Sequence, residues 1–311
     1  MSAVHAAPRV GFIGLGQMGR PMAARLRAAG LPLRVFDRRA EAVHDFVGEH
    51  GGAAAASLAE LGAGSDVVVT MLPDGEVVRR VVLGDGCDDA DRLLGALPAG
   101  SVLIDMSSSS PTGTQALGAL LATHGVDVLD APVSGGVARA EDGTLSIMVG
   151  GDASVVSRVR AVLASMGARI FETGVLGSGH ALKALNNLVS AAGLIAAAEA
   201  LLIGRRFGLD PVVMVDVFNA STARNNSTEN KLKQFVLSRR FASGFALDLM
   251  VKDLTTAVDL AHATGTPVPF GAACRELWAA AQAELESGAD HTAVVCWLER
   301  LARVRLESES G

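Results

Sequence analysis

The stretch GSGHALKALNN, residues 177–187, places a lysine at the start of a long run of alanine, leucine, isoleucine and valine. Asn186, Asn187 and Ser190 lie three, four and seven residues after Lys183, a spacing that aligns all four side chains along one face of a helix. A lysine is seldom buried unless it is paired, and no carboxylate lies one turn away. The polar stripe formed by Lys183, Asn186, Asn187 and Ser190 therefore predicts a polar site that Lys183 faces. The alternative is a lysine that extends to water from the helix end.

The chemistry predicted for Lys183 is proton transfer. Both the first turns of a helix and removal from water disfavour an ammonium group, so we expect a lowered pKa and proton exchange at neutral pH. The chain has only four lysines, Lys183, Lys231, Lys233 and Lys252, and its other cationic side chains are arginines, which do not release their proton. Lys183 is thus suited to act as a general acid/base.

A second motif near the N-terminus predicts dinucleotide binding. Gly14, Gly16 and Gly19 have the G-x-G-x-x-G spacing after a short β-rich run and at the start of a helical pattern. This arrangement permits a tight turn, close approach of a pyrophosphate and packing of helix on strand. Asp37 ends the next β-rich run, 18 residues beyond Gly19, where a carboxylate accepts hydrogen bonds from the adenosine ribose. Asp37 favours NAD, and Arg38 and Arg39 keep NADP as the alternative because either can pair with a 2′-phosphate.

The elements that must position these residues are predicted by the hydrophobic pattern. Between Arg9 and Gly174, short β-rich runs alternate with helical stretches, as in a mostly parallel, Rossmann-type α/β sheet covered by helices on both faces. After Gly174 the segments are long and helical, with Asp210 and Pro211 as a helix start and residues 265–269 as a break. We therefore expect a flexible tail at 1–8, a dinucleotide-binding domain at 9–174 and an all-α substrate and oligomerisation domain at 175–311, which begins with a long interdomain helix.

Composition excludes several classes of function. The chain of 311 residues has a net charge of −6 and no basic patch, which argues against a nucleic-acid partner. Its three cysteines lie far apart, its start lacks a signal peptide and its longest apolar stretch is interrupted by Glu199, so we expect a cytoplasmic protein without disulfides or a membrane partner. No metal is expected, because the seven histidines are scattered and the acidic residues at 84–92 lack the EF-hand spacing. His180, one turn before Lys183, is expected at the surface of the helix start, and contact with the site is the alternative.

Taken together, the motifs resemble those of the β-hydroxyacid dehydrogenases, a family that includes 3-hydroxyisobutyrate dehydrogenase and tartronate semialdehyde reductase. The resemblance covers nearly the whole chain, from GFIGLGQMG through TMLP, IDMSSSSP, DAPVSGGVARAEDGTLSIMVGG and GSGHALKALNN to VKDL and the tail DHTAVVCWLERLARV. It implies that Lys183 is the catalytic acid/base, that Asn187 and Asn186 orient the substrate, and that Ser134, Gly135 and Gly136 bind its carboxylate. The cofactor contacts that it implies, beside the glycine motif, are Gln17, Met18, Asp37, Leu72, Ser108 and Lys252.

The expected reaction is the reversible oxidation of a small 3-hydroxy acid, similar to 3-hydroxyisobutyrate, to its semialdehyde, with hydride passing to NAD or NADP. A reductase of tartronate or succinic semialdehyde, an imine reductase-like enzyme and a non-catalytic nucleotide-binding protein are the alternatives, and Lys183 argues against the last two. Long apolar helices lead us to expect a homodimer or homotetramer. The segment STARNNSTENK at 221–231 either borders the site or forms a loop.

Overall fold

A computed structural model describes residues 7–85 and 91–307. Most of the predicted tail, Cys87 and the centre of the acidic loop at 84–92 lie outside the described residues. The backbone contacts divide the chain into two compact units, Met1–Lys183 and Ala184–Gly311. The division falls inside one long helix, directly after Lys183.

The first unit contains a nine-stranded sheet. Its strands are β1 (Val10–Ile13), β2 (Leu33–Phe36), β3 (Ala53–Ala54), β4 (Val67–Thr70), β5 (Val102–Asp105), β6 (Asp127–Asp130), β7 (Val133–Ser134), β8 (Leu145–Gly150) and β9 (Gly167–Gly174). The order is β3-β2-β1-β4-β5-β6-β8-β7, and β9 pairs with β8. The pairings from β3 to β6 are parallel, whereas β8 runs antiparallel to β6 and β7. This confirms the predicted Rossmann-type, mostly parallel sheet.

In the described part of the first unit, seven helices cover the sheet. They are α1 (Gly19–Ala28), α2 (Ala40–His50), α3 (Leu58–Ala63), α4 (Gly75–Leu83), α5 (Pro111–Ala122), α6 (Gly136–Asp142) and α7 (Ala153–Ala164). Several begin at a side-chain cap: Asp74, Ser110 and Asp152 accept backbone N–H bonds at the starts of α4, α5 and α7. Successive side chains of a strand point to opposite faces of the sheet, and in β1 Phe12 belongs to one buried cluster whereas Ile13 belongs to another. The helices therefore cover both faces of the sheet, as predicted.

The second unit is helical. Beyond α8 (Ser178–Phe207) it contains α9 (Pro211–Ala220), α10 (Asn226–Asn230), a π-helix (Leu232–Leu237), α11 (Leu247–Ala263), α12 (Pro269–Glu284), a 3₁₀-helix (His291–Ala293) and α13 (Val294–Ala302). Asp210 caps α9 and Pro211 opens it, as predicted. One buried cluster, which includes Leu201, Leu254 and Trp278, joins α8, α11 and α12. The prediction of an all-helical C-terminal region is confirmed.

Helix α8 has exposed apolar side chains, although a helix that is apolar nearly all round is usually buried. Val189, Ile203 and Phe207 are 74%, 72% and 84% exposed, because only part of the circumference of α8 packs against other elements of the chain. By length and composition alone α8 also meets the requirements of a membrane span, and 50% of its most apolar window is buried. A long core helix of a globular protein meets the same requirements, so this feature is weak support for a span.

Candidate active site

The glycine-rich turn after β1 combines two tightly packed glycines with one open one. Gly14 has φ +100°, and a Cβ there would overlap the carbonyl of Met71. A Cβ at Gly19 would overlap the carbonyl of Gly14. A Cβ at Gly16, in contrast, meets nothing within 4 Å. Gly14 and Gly19 thus bring α1 close to the sheet, and Gly16 leaves its backbone open to a phosphate group.

Asp37, which follows β2, is ionised and held in place. Its carboxylate accepts bonds from the backbone N–H of Leu15 at 2.8 Å and of Arg39 at 2.9 Å, and from the Arg39 side chain at 3.1 Å. Burial raises the pKa of Asp37, but these hydrogen bonds and the charge of Arg39 outweigh it and hold the pKa below its ordinary value. The carboxylate therefore braces the glycine turn as an anion, and Arg39 turns back toward it.

A cleft of about 630 Å³ opens beside this turn. Its lining includes Gly14, Gly16, Asp37, Leu72, Arg38, Arg39 and Arg80. The volume suits a small-molecule or cofactor site. This lining fits the adenosine diphosphate part of NAD, or of NADP with its additional phosphate: the open backbone at Gly16 and the three arginines can donate to phosphate oxygens, and the Asp37 carboxylate can accept from the ribose.

Parallel strands bring the other predicted cofactor loops to the same edge of the sheet. Ile13 pairs with Thr70, Thr70 with Asp105, and Asp105 with Asp130. The segments after β1, β4, β5 and β6 therefore leave the sheet side by side, at the carboxyl ends where α/β proteins bind ligands. The Leu72 backbone N–H donates to Ser107 Oγ at 3.0 Å and links two of these segments. Ser108 lies next to this link, whereas Gln17 and Met18 lie in the turn before α1.

His180 is buried, and the prediction of a surface histidine is wrong. Its Nε2 lies 3.1 Å from the carbonyl of Ser107, so this nitrogen must be the donor, and its Nδ1 lies 2.9 Å from Thr114 Oγ1. The backbone N–H groups of Gly177 and His180 donate to Asp130 at 2.7 Å each. These partners lie 47–73 residues away in sequence, which is why local pattern failed to identify them.

The buried carboxylate of Asp105 completes this cluster. It accepts from Thr70 Oγ1 at 2.9 Å, from the Ser107 N–H at 3.0 Å and from Ser109 Oγ at 2.6 Å, and its Oδ2 lies 3.7 Å from His180 Nε2. The contacts of Gly177 and His180 with Asp130, and of His180 with Ser107 and Asp105, hold the start of α8 at the ends of β5 and β6. Within residues 7–85 and 91–307, His, Cys, Asp and Glu side chains form no group of three or more suited to a metal ion.

The Ser134–Gly136 turn lies beside Lys183. Gly135 and Gly136 have φ +137° and +72°, values that favour glycine, and they form the start of α6. Lys183 Nζ donates to the carbonyl of Val133, the residue before Ser134, at 2.9 Å. The predicted acid/base and the predicted carboxylate-binding turn are thus brought together in the first unit.

The asparagines one turn further along α8 belong to the second unit. Asn187 is buried and its Nδ2 donates to Asp253 Oδ2 at 2.5 Å, while its Oδ1 accepts from Asn186 Nδ2 at 3.1 Å. Lys252 Nζ lies 3.4 Å from Asp253 Oδ1. Asp253 therefore holds the amide of Asn187 in one orientation. The sequence analysis did not identify Asp253 as a site residue, although it lies next to Lys252 in the VKDL motif.

The chain is similar to known dehydrogenases over nearly its whole length. Residues 9–174 match the family model of the NAD binding domain of 6-phosphogluconate dehydrogenase, and residues 177–298 match that of the NAD-binding region of NADP-dependent 3-hydroxyisobutyrate dehydrogenase. The chain is 39% identical over 293 residues to a 3-hydroxyisobutyrate dehydrogenase of Pseudomonas aeruginosa, covering 92% of this chain and 96% of that one. It is 36% identical over 296 residues to the 2-(hydroxymethyl)glutarate dehydrogenase of Eubacterium barkeri, covering 95% and 96% of the two chains.

A solved structure has the same fold. The 3-hydroxyisobutyrate dehydrogenase of Mycobacterium tuberculosis, solved with L-serine, superimposes with a TM-score of 0.85 at 37% identity and covers 94% of this chain and 99% of that one. Sheet, glycine turn and acidic strand end define a dinucleotide-binding domain, and the named relatives are NAD(P)-dependent oxidoreductases. The chain belongs to the β-hydroxyacid dehydrogenase family. It is accordingly a dehydrogenase that acts on the CH–OH group of a small hydroxy acid with NAD, or NADP, as cofactor.

Proposed function

We propose that the protein interconverts a small 3-hydroxy acid, similar to 3-hydroxyisobutyrate, and its semialdehyde, with Lys183 as general acid/base. The observation that carries this proposal is the 2.9 Å bond from Lys183 Nζ to the Val133 carbonyl. It sets a titratable nitrogen next to the Ser134–Gly136 turn. A hydroxyl and a carboxylate separated by few bonds, as in a 3-hydroxy acid, can then reach both groups at once.

In this mechanism the hydroxyl of Ser134 and the backbone N–H groups of Gly135 and Gly136 bind the substrate carboxylate. Asn187, with its amide fixed by Asp253, binds the substrate hydroxyl, and Asn186 supports it. Lys183 takes the hydroxyl proton during oxidation and returns it during reduction. The nicotinamide, when bound, accepts or supplies the hydride.

The proposed cofactor contacts follow the cleft. Gly14, Gly16 and Gly19 with Gln17 and Met18 hold the pyrophosphate, and Asp37 holds the adenosine ribose. Leu72, Ser108 and Lys252 are proposed to contact the remainder of the cofactor. Asp37 supports NAD as the preferred form, while Arg38 and Arg39 are the residues that would hold the phosphate of NADP.

The test is a panel of small hydroxy acids assayed with NAD and with NADP. It contains 3-hydroxyisobutyrate, 3-hydroxypropionate, glycerate, 2-(hydroxymethyl)glutarate and the 2-hydroxy acid lactate, and, in the reverse direction, tartronate and succinic semialdehydes. Oxidation of 3-hydroxy acids with a clear margin over 2-hydroxy acids such as lactate is the expected result. Greater activity toward the two named semialdehydes would instead support the reductase alternative, and inactivity toward the whole panel would overturn the proposal.

We also infer that the protein is a cytoplasmic homodimer or homotetramer. The exposed apolar residues on α8, among them Val189, Ile203 and Phe207, support association because monomers rarely leave such a row open to water. A second copy of the chain is the proposed occupant of this row. Light scattering of the wild type and of Phe207→Glu tests this: the wild type should have at least twice the mass of the chain, and the variant should dissociate.

A further inference from the structure

The segment 221–231, which the sequence left without a role, packs against α8. Asn225 caps α10 by accepting from the backbone N–H groups of Ser227 and Thr228 at 2.8 and 3.2 Å. The same Asn225 side chain lies against Gly193, where an added Cβ would be 3.4 Å from Asn225 Oδ1. The segment is therefore a fixed part of the second unit.

Its last residue, Lys231, reaches the polar stripe of α8. Lys231 Nζ donates to Ser190 Oγ at 3.2 Å. Ser190 lies seven residues after Lys183 and three after Asn187, so it continues the stripe by about 10 Å along the helix axis beyond Lys183. Lys231 directly precedes the π-helix Leu232–Leu237, a distortion that is frequent at functional sites.

Among the described residues, Ser190 and Asp290 are the groups that act on the Lys231 ammonium. Its hydrogen-bond partner, Ser190, is neutral. Asp290 acts on Lys231 through its charge, but its oxygens accept bonds from Ser243, Gly244, Phe245 and Thr292 at 2.5–3.3 Å. Burial lowers the pKa of Lys231 to about 8, so the ammonium is still the main form at neutral pH. A partly buried cation next to a substrate stripe favours an anion brought by a ligand.

We propose that Lys231 binds a second anionic group of the substrate, which is therefore a 3-hydroxy acid with a further carboxylate, or a similar anion, on its side chain. This inference rests on the proposed function, because it takes Lys183 and Asn187 as the groups that bind the hydroxyl. Ser190 helps to direct the Lys231 ammonium toward this anion.

A matched set of compounds tests the charge separately from the length of the substrate. 3-Hydroxyisobutyrate carries a methyl group where 2-(hydroxymethyl)glutarate carries a –CH₂CH₂COO⁻ group, and the 5-carboxamide of the latter has nearly the same size without the second charge. The wild type should show a kcat/KM for the diacid at least about tenfold above that for the carboxamide, since a hydrogen bond to a charged group contributes roughly that much. Equal values for the diacid and the carboxamide would overturn the inference.

The matching variants are Lys231→Met and, as control, Lys233→Met. Lys233 lies two residues away, is half-buried and pairs with Asp216. Lys231→Met should lower the ratio of kcat/KM for the diacid to that for 3-hydroxyisobutyrate by about tenfold or more, while Lys231→Arg, which retains a cation, should retain most of the ratio and Lys233→Met all of it. If Lys231→Met leaves this ratio of kcat/KM values unchanged, the inference is contradicted even when kcat/KM falls for both compounds. A purely structural role of Lys231 would lower both values together. If the wild type oxidises no 3-hydroxy acid at all, it is the proposed function that fails.

Discussion

The ammonium of Lys183 and the backbone carbonyl of Val133 are joined by a hydrogen bond of 2.9 Å, which ties helix α8 to the turn that begins at Ser134. Replacing Lys183 by Ala should lower kcat by about 10²- to 10⁴-fold, the usual contribution of a general acid/base. Cofactor affinity, measured by titration of NADH fluorescence, should change little, because the glycine turn and Asp37 are untouched. Wild-type turnover in this variant would disprove the proton-transfer role.

Lys183→Arg separates charge from proton transfer. Arginine retains the positive charge but does not give up its proton near neutral pH, so this variant should be nearly as slow as Lys183→Ala. Lys233→Arg is the matched control and should behave as the wild type, since Lys233 is on the surface. Full activity of Lys183→Arg would show that only the charge is needed.

Asp37 is expected to govern the choice of cofactor. In Asp37→Ser, the ribose loses its carboxylate partner and Arg39 loses the anion that it contacts at 3.1 Å, so Arg39 becomes available to a 2′-phosphate. The ratio of kcat/KM for NAD to that for NADP should fall by about tenfold or more. Asp45→Ser, an exposed change on α2, serves as the control. A ratio equal to that of the wild type would show that Asp37 only braces the glycine turn.

His180 is expected to position Lys183 through the start of α8. In His180→Phe, Ser107 and Thr114 lose their buried partner, which should lower the free energy of unfolding by about 2–4 kcal/mol. If the histidine only stabilises the fold, kcat at a temperature where the variant is fully folded should equal that of the wild type. We expect it to fall several-fold with an unchanged KM for NAD. The exposed His124→Phe should alter neither quantity.

Asp253 is expected to act through Asn187. In Asp253→Asn the 2.5 Å bond to Asn187 Nδ2 loses its charged acceptor, and the amide of Asn187 is free to turn over. The KM for the hydroxy acid should rise by about tenfold, which corresponds to about 1.4 kcal/mol. Asp259→Asn, an exposed change on the same helix, should leave the KM unaltered. An unaltered KM in Asp253→Asn itself would show that Asn187 needs no such support.

Acid should destabilise the protein through His291. Burial, with the nearby positive charge of Lys231, lowers the pKa of His291 from 6.5 to about 4. Between these two values the unfolded chain binds a proton that the folded chain does not, so the free energy of unfolding falls as pH drops through this window. The loss over the whole window should be about 3 kcal/mol.

Urea unfolding of the wild type and of His291→Asn at pH 7 and pH 4.5 checks this expectation. The variant lacks the group that titrates and should lose correspondingly less stability on acidification. His124→Asn, at an exposed position, should follow the wild type. Parallel pH dependence of the wild type and His291→Asn would assign the acid sensitivity to other groups.

The fold was predictable where the pattern is local. The apolar runs that became β1, β4 and β5, the glycine spacing at 14–19 and the Asp210–Pro211 helix start are each defined by neighbouring residues. Strands β3 and β7 have two residues each, too few for a period-two signal, and were missed. The exposed side of α8 was missed as well, because alanine, leucine and valine are compatible with both a core and a surface that associates.

The site was predictable in its principal residues but not in their supports. Lys183 and Asn187 stand out because a cation and an amide interrupt an apolar helix. The burial of His180 depends on Ser107, Thr114 and Asp130, and the role of Asp253 depends on a residue 66 positions away. Such partners are set by how the strands and helices pack, which a single sequence does not show.

The uninterrupted course of α8 from Ser178 to Phe207 also restricts how this enzyme can diversify. Each residue of an α-helix advances by about 100° around the axis, so one residue inserted between Lys183 and Ser190 would turn everything beyond it to another side. An insertion between Asn187 and Ser190 would separate one of these two residues from its partner, because Asn187 bonds to Asp253 and Ser190 to Lys231. New specificities in such a protein must therefore arise by exchanging side chains at a constant count of residues, and length changes are confined to the loops outside this helix.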